Sequence, residues 1–213
     1  MSTVQYGQAA RDRRTVHRAA TVEEIRTAAL SMMERDGVAG MSLSAVARSV
    51  GMKPPSLYEY FPSKKALYDA LFEQGATSLR ASVQTAASIP PAGDPIAALR
   101  AGAAAYVEWS LTNQVSAQLL IWRPVPGFEP SDRAYAPSLG LMSDMRELLE
   151  FAVERGRLRP AAASNDAILL LTCVISGVVS QQLANEPLAG AQSGRYARLL
   201  DPAMAMWLKH YAY

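Results

Sequence analysis

The stretch SLSAVARSVGMKPPSLYEYFPSKKAL, residues 42–67, decides how this chain folds. Apolar residues recur in it at helical spacing after Ser42, and serine is a favourable residue just before a helix. Gly51 then allows a sharp turn, and the two prolines that follow suit the first turn of another helix, where the backbone N–H has no partner to lose. The pattern therefore predicts two short helices joined by a tight turn, the second ending near Phe61.

The second of these helices has an inner and an outer side. At about 100° per residue, Leu57 and Phe61 share one side, and because both are large and apolar we expect that side to pack inward. Pro55 and Glu59 point in the opposite direction. The helix therefore presents an outward surface that its own packing does not need.

Hydroxyl groups occupy the two flanks of the same helix, at Ser56 and Tyr58, and Lys64 begins the helix that follows. A helix in a DNA major groove directs its outermost residues at base edges and its flanks at the phosphate walls. Hydroxyl groups, a lysine and the free N–H groups of a helix N-terminus all suit phosphate oxygens. The arrangement favours a helix-turn-helix that binds DNA.

The same stretch resembles the DNA-binding signature of the tetracycline-repressor (TetR) family, over about residues 21–71. The resemblance implies an all-α protein of about nine helices, with a helix-turn-helix domain at 21–71 and a ligand-binding and dimerisation domain at 72–213. The charge distribution adds a basic, flexible arm at 1–20. It also implies a homodimer that represses transcription from a palindromic DNA operator and is released by a small, mostly apolar effector. A ligand-independent architectural or nucleoid-associated DNA-binding protein would use the same helix-turn-helix at residues 42–64, called the head below. This alternative stays open.

The resemblance assigns ten residues to DNA in two groups. For Glu59 two interpretations stay open: its carboxylate either accepts a hydrogen from a cytosine amino group or pairs with a neighbouring cation. The first group falls on family positions that usually touch phosphates: Ser42, Ser56, Tyr58, Tyr60 and Lys64. The second group falls where base contacts vary between members: Ser44, Lys53, Pro54, Pro55 and Glu59.

The residues before the head are predicted to divide into an arm and a helix. Thr21 and Glu24 form a capping box, which predicts that the first helix begins there and that Gly37 ends it. Four arginines against one aspartate give residues 1–20 their positive charge. Such an arm is either a solvated tail or a segment that reaches a DNA minor groove. The candidate contacts are Arg11, Arg13 and Arg14.

The composition argues against several other classes of protein. Cys173 is the single cysteine, and the chain has neither a run of about 18 apolar residues nor an apolar leader, so we expect a cytoplasmic protein that spans no membrane. The two histidines, His17 and His210, lie at opposite ends, which leaves no Ser/His/Asp or Cys/His constellation and no metal-binding group. We therefore expect a protein that is not an enzyme and has no cofactor.

Prolines and a glycine at residues 89–95 separate the fourth predicted helix from a larger helical half. Helical periodicity is strong at about residues 165–184, and another helix follows at about 194–211. The apolar stripe of these two helices predicts a dimer interface, with ordinary core as the other interpretation: Ile168, Leu171, Ile175, Val178, Val179, Gln182, Leu200, Met204 and Trp207. Aromatic and sulfur-containing side chains suit an adaptable apolar ligand pocket, and the candidates are Tyr106, Trp109, Trp122, Phe128, Met142, Met145 and Cys173.

Overall fold

The computed structural model describes residues 3–91 and 93–213, with side chains from residue 15 onward. Within that part of the chain there are no strands, so the predicted all-helical fold is confirmed. Short 3-10 turns lie at Val38–Gly40, Pro160–Ala163 and Ala197–Leu199. The described α-helices are α1 (Thr3–Asp36), α2 (Leu43–Ser49), α3 (Pro54–Tyr58), α4 (Lys64–Ala87), α5 (Pro95–Thr112), α6 (Gln114–Ile121), α7 (Asp132–Glu154), α8 (Asn165–Asn185) and α9 (Leu200–Tyr211).

The chain divides into two compact units. The first unit consists of residues 1–71 and 123–129, and the second consists of residues 72–122 and 130–213. Helices α1 to α3 and the start of α4 belong to the first unit, and the rest of α4 continues into the second. Residues 123–129, which the sequence interpretation placed in the larger domain, belong to the smaller unit.

The first helix begins much earlier than its sequence predicts. α1 starts at Thr3, so the segment expected to be a flexible arm is helical from that residue, and the capping box at Thr21 is wrong. The Thr21 hydroxyl instead donates to the carbonyl oxygen of His17 at 3.0 Å, one helical turn earlier. Threonine makes this backward bond inside helices, and no proline precedes it to stop the helix. Gly37, with a φ of +80°, follows the end of α1 as predicted.

Helix α8 is apolar on two opposite faces. Its inner face packs against α5, α7 and α9 in the core of the second unit. On its outer face Leu169 and Leu170 remain 57% and 46% exposed. With a mean hydropathy of 1.8, α8 is the one helix among the described residues that is long and apolar enough to cross a membrane by length and composition. Its hydropathy is high because apolar residues lie on the outer face as well as in the core.

The stripe predicted as the dimer interface lies inside the core of this chain. Val178 is half-buried and the other eight residues are buried. The Trp207 indole N–H donates to the Ala167 carbonyl at 3.1 Å, which joins α9 to the start of α8. These contacts within their own chain favour the interpretation as ordinary core. The buried eight are Ile168, Leu171, Ile175, Val179, Gln182, Leu200, Met204 and Trp207.

Candidate nucleic-acid interface and cavity

Helices α2 and α3 form the predicted helix-turn-helix. Gly51 lies between them with a φ of +70°, a conformation that glycine adopts without steric cost. Leu57 is fully buried and Phe61 is buried beside it, as the helical wheel predicts. α3 ends at Tyr58, earlier than expected, although the Phe61 N–H still donates to the Leu57 carbonyl at 2.9 Å. The turn after α3 thus keeps a helical hydrogen bond and holds both apolar side chains in the core.

The ten residues assigned to DNA all lie at the surface or partly below it. Tyr58 is 49% exposed, although its neighbour Leu57 is fully buried. Ser42 precedes α2, and its hydroxyl makes no capping bond within the described part of the chain. The exposed members are Ser42, Ser44, Lys53, Pro55, Tyr58 and Glu59, and the half-buried members are Pro54, Ser56, Tyr60 and Lys64. Their individual contacts with DNA stay predictions.

Lys64 and Tyr68 fasten the start of α4 to the chain between α1 and α2. The Lys64 amino group donates to the Ala39 carbonyl at 3.1 Å and lies 5.5 Å from the centre of the Tyr68 ring. The buried Tyr68 hydroxyl donates to the Val38 carbonyl at 2.8 Å. Burial raises the pKa of Tyr68 above its ordinary value. Lys64 therefore already has a structural role beside the DNA role that its position implies.

Arg18 stabilises the end of α3, and the sequence interpretation did not identify it. Its guanidinium donates to the Glu59 carbonyl at 3.1 Å and lies 4.8 Å from the centre of the Tyr60 ring. A cation at a helix C-terminus satisfies a free carbonyl and opposes the helix dipole. Among the described side chains no ion pair reaches the Glu59 carboxylate. The candidate arm contacts Arg11, Arg13 and Arg14 lie outside the described side chains.

A cavity of about 440 Å³ lies in the second unit between α4, α5, α7 and α8. Its wall is mostly apolar and extends from Val83 on α4 to Ile175 on α8. Three of the seven predicted pocket residues line it: Tyr106, Met142 and Met145. Small-molecule sites in proteins typically measure about 300–1,000 Å³, so the cavity has room for an organic ligand.

The other four predicted pocket residues lie elsewhere. Trp109 and Trp122 each donate an indole hydrogen bond to a serine hydroxyl, at 3.0 and 3.1 Å. Phe128 packs against Tyr68 in the first unit, with ring centroids 5.7 Å apart. Cys173 is exposed on α8. Residue type alone could not separate these side chains from the cavity wall, because it does not determine which face of a helix meets which neighbour.

The polar groups of the cavity form an inner pair and a rim. Tyr106 and Ser176 make up the inner pair: burial raises the pKa of Tyr106, and its hydrogen bond with Ser176 acts in the opposite direction. The rim contains Asp144 and Glu147, two carboxylates one turn apart on α7. In the part of the chain that the structure describes, no group of three or more His, Cys, Asp or Glu residues could hold a metal ion.

Residues 25–71 match the family model described as bacterial regulatory proteins, tetR family. An HTH-type transcriptional regulator from Mycobacterium bovis is 29% identical over 124 residues, which are 58% of this chain and 53% of that protein. The chain therefore spans about half the length of the curated relatives that it matches. The matching family segment contains α2, α3 and the start of α4.

Solved structures are similar to most of the chain. A protein with unknown function from Rhodococcus sp. RHA1 has a TM-score of 0.76 at 24% identity, over 90% of this chain and 95% of that one. The TetR family transcriptional regulator PfmR from Thermus thermophilus has a TM-score of 0.66 at 18% identity, over 87% of this chain and 97% of that one. These similarities show that the larger helical unit of this chain has the same fold as these two proteins.

Proposed function

Because residues 25–71 match the model of the tetR family of bacterial regulatory proteins, we propose that this chain is a transcriptional repressor of that family, which binds a palindromic operator as a homodimer. The observation that supports this best is the outward face of α3, where Pro55, Tyr58 and Glu59 are exposed while Leu57 anchors the helix. A helix held on one side and free on the other can enter a major groove about 12 Å wide. In this proposal the protein acts in the cytoplasm and catalyses no reaction.

In this proposal, the exposed residues of the head have different roles. Pro55 packs on a thymine methyl group, and Glu59 accepts from the amino group of a cytosine. Tyr58 donates its hydroxyl hydrogen to a phosphate oxygen. Arg18 acts indirectly, since its bond to the Glu59 carbonyl holds the end of α3 in place. The base contacts set the preferred sequence, and the phosphate contact sets the orientation of the head.

The direct test is selection of bound DNA from a random pool, followed by affinity measurements on the selected site. We expect two inverted half-sites about one helical turn apart, which is the spacing that one dimer requires. Tyr58→Phe should weaken binding to all sequences alike, whereas Glu59→Ala should change the preference at one base position. A selected pool without inverted half-sites would refute operator recognition. If Tyr58→Phe altered preference and Glu59→Ala did not, the two roles would be reversed.

A second copy of this chain is the proposed occupant of the outer face of α8. A helix that is apolar all round is normally buried, and α8 has its inner face in the core while Leu169 and Leu170 are exposed. Met206 on α9 is exposed as well. Gly177 has open space around it among the described atoms, so it offers a place where another helix can approach closely. The proposed dimer still uses α8 and α9, but through the faces opposite to those predicted from sequence.

A small-molecule effector is the proposed occupant of the cavity. A volume of about 440 Å³ and a mostly apolar wall favour a ligand-responsive regulator over an architectural protein that needs no ligand. The effector acts by binding the DNA-incompetent state more tightly, with coupling of about 1–3 kcal/mol, or roughly 5–150-fold. Coupling is reciprocal, so effector and operator must weaken each other's binding by the same factor. Independent binding in a two-way titration would contradict the proposal.

A further inference from the structure

The rim of the cavity is acidic, and we propose that the effector combines an apolar body with a cationic end, such as an alkylammonium group, that binds beside Glu147. This inference rests on the proposed effector function. Asp144 and Glu147 line the cavity, and among the described residues that line it there is no Lys, Arg or His. The lining therefore carries two acidic side chains and offers an anionic ligand no cation.

Asp144 already forms an ion pair with Arg80. Two nitrogens of Arg80 donate to its two carboxylate oxygens, at 2.7 and 2.9 Å, and the Gln84 amide donates to it at 2.9 Å. The hydrogen bond with Asp144, together with attraction to Asp144 and Glu147, raises the pKa of Arg80. Gly140 makes room for the guanidinium, because a Cβ there would lie 2.5 Å from Arg80 Cζ. Arg80 is thus committed to Asp144 and is not available to an anionic ligand.

Glu147 lacks such a partner. Among the described residues it forms no ion pair, and its carboxylate accepts a hydrogen bond from the Ser143 hydroxyl at 3.3 Å. It lies three residues after Asp144 on α7, and residues at this spacing share a helix face. One guanidinium therefore faces two carboxylates, which leaves the rim with an excess negative charge.

The apolar floor of the cavity complements its acidic rim. Its floor contains the buried side chains of Leu99, Ala103 and Ile175, whereas Glu147 is exposed. An amphiphile can therefore place its apolar part on the floor while its ammonium group stays near water at the rim. This arrangement avoids the large penalty of burying an unpaired charge. A carboxylate in the same place would face the unpaired Glu147 and be repelled.

Three probes with one skeleton test the inference: 6-phenylhexylamine, 6-phenylhexanol and 6-phenylhexanoate. Titration calorimetry on the full chain should rank the amine first, the alcohol second and the carboxylate last. Glu147→Gln should weaken amine binding by up to about fivefold, the range of a solvent-exposed ion pair, and leave alcohol binding unchanged. Glu147→Lys should reverse the order of the two charged probes. Glu150→Gln, which removes an exposed carboxylate of α7 outside the cavity lining, is the matched control.

The outcomes separate the inference from the function on which it rests. If the alcohol binds and loosens operator binding but the amine gains nothing over it, the charge preference is refuted and the effector site stands. The same holds if Glu147→Lys leaves the order of the probes unchanged. If none of the three probes binds, the cavity is not an effector site for apolar ligands, and both proposals are refuted.

Discussion

Replacing Gln182 with methionine should destabilise the chain from within the second unit. Gln182 is fully buried. Its side-chain oxygen accepts from the backbone N–H groups of Tyr196 and Ala197, both at 3.0 Å, and its amide donates to the Glu186 carbonyl at 2.7 Å. The first two bonds join the end of α8 to the segment that leads into α9, and the third lies at the C-terminus of α8 itself. Methionine has a similar length but can make none of them.

The size of the effect follows from the three bonds. The buried Ala197 N–H loses its partner, which costs about 1–3 kcal/mol, and each of the two partly buried groups loses about 1 kcal/mol. Methionine buries additional apolar surface, about that of one methylene group, and this burial recovers roughly 1 kcal/mol. The free energy of unfolding should therefore fall by about 2–4 kcal/mol, which lowers Tm by roughly 5–15 °C for a chain of this size.

Thermal unfolding followed by circular dichroism at two protein concentrations is the appropriate assay. An internal loss lowers Tm by the same amount at both concentrations, whereas an interface loss makes the shift depend on concentration. Gln192→Met, at an exposed position of the loop after α8, is the control and should change Tm little. If Gln182→Met keeps the Tm of the parent protein but weakens dimerisation, Gln182 belongs to the dimer interface and its internal role is refuted.

Two further variants test the proposed dimer interface on the outer face of α8 and the hydrogen bond at the start of α4. Gly177→Leu should weaken dimerisation at least tenfold in analytical ultracentrifugation without destabilising the monomer. The added side chain meets open space in the chain itself, and the change removes a helical glycine that costs about 1 kcal/mol. An unchanged dimer would contradict the proposed interface. Tyr68→Phe should reduce the free energy of unfolding in urea by about 1–2 kcal/mol, because the buried Val38 carbonyl loses its donor. An unchanged urea midpoint would show that this bond does not hold the start of α4.

The helix-turn-helix was predictable because its signals are local. Gly51 at the turn and the apolar pair Leu57 and Phe61 act over a few residues, and the structure places all three as predicted. The end of α1 at Gly37 was predictable for the same reason. The start of α1 was not, because the Thr21 hydroxyl can either cap a helix or bond back to the preceding turn. The sequence is compatible with both arrangements.

Contacts between residues that are far apart in the sequence could not be predicted from local patterns. Arg18 reaches the Glu59 carbonyl across 41 residues, and neither residue carries a signal of the other. Asp144 and Arg80 are 64 residues apart, so the paired carboxylate of the cavity rim could not be identified from spacing. Phe128 is an aromatic residue in a loop, and only the tertiary structure assigns it to the first unit beside Tyr68.

By itself, the sequence determined that the chain is helical, where the head turns, and which side of α3 faces outward. Each of these depends on periodicity and on glycine conformation within a short segment. The tertiary structure decided which apolar face of α8 is buried. Since Ile168 and Leu171 on one face and Leu169 and Leu170 on the other are equally apolar, periodicity could not choose between them. The choice is made by α5, α7 and α9, which bury the first face and leave the second exposed.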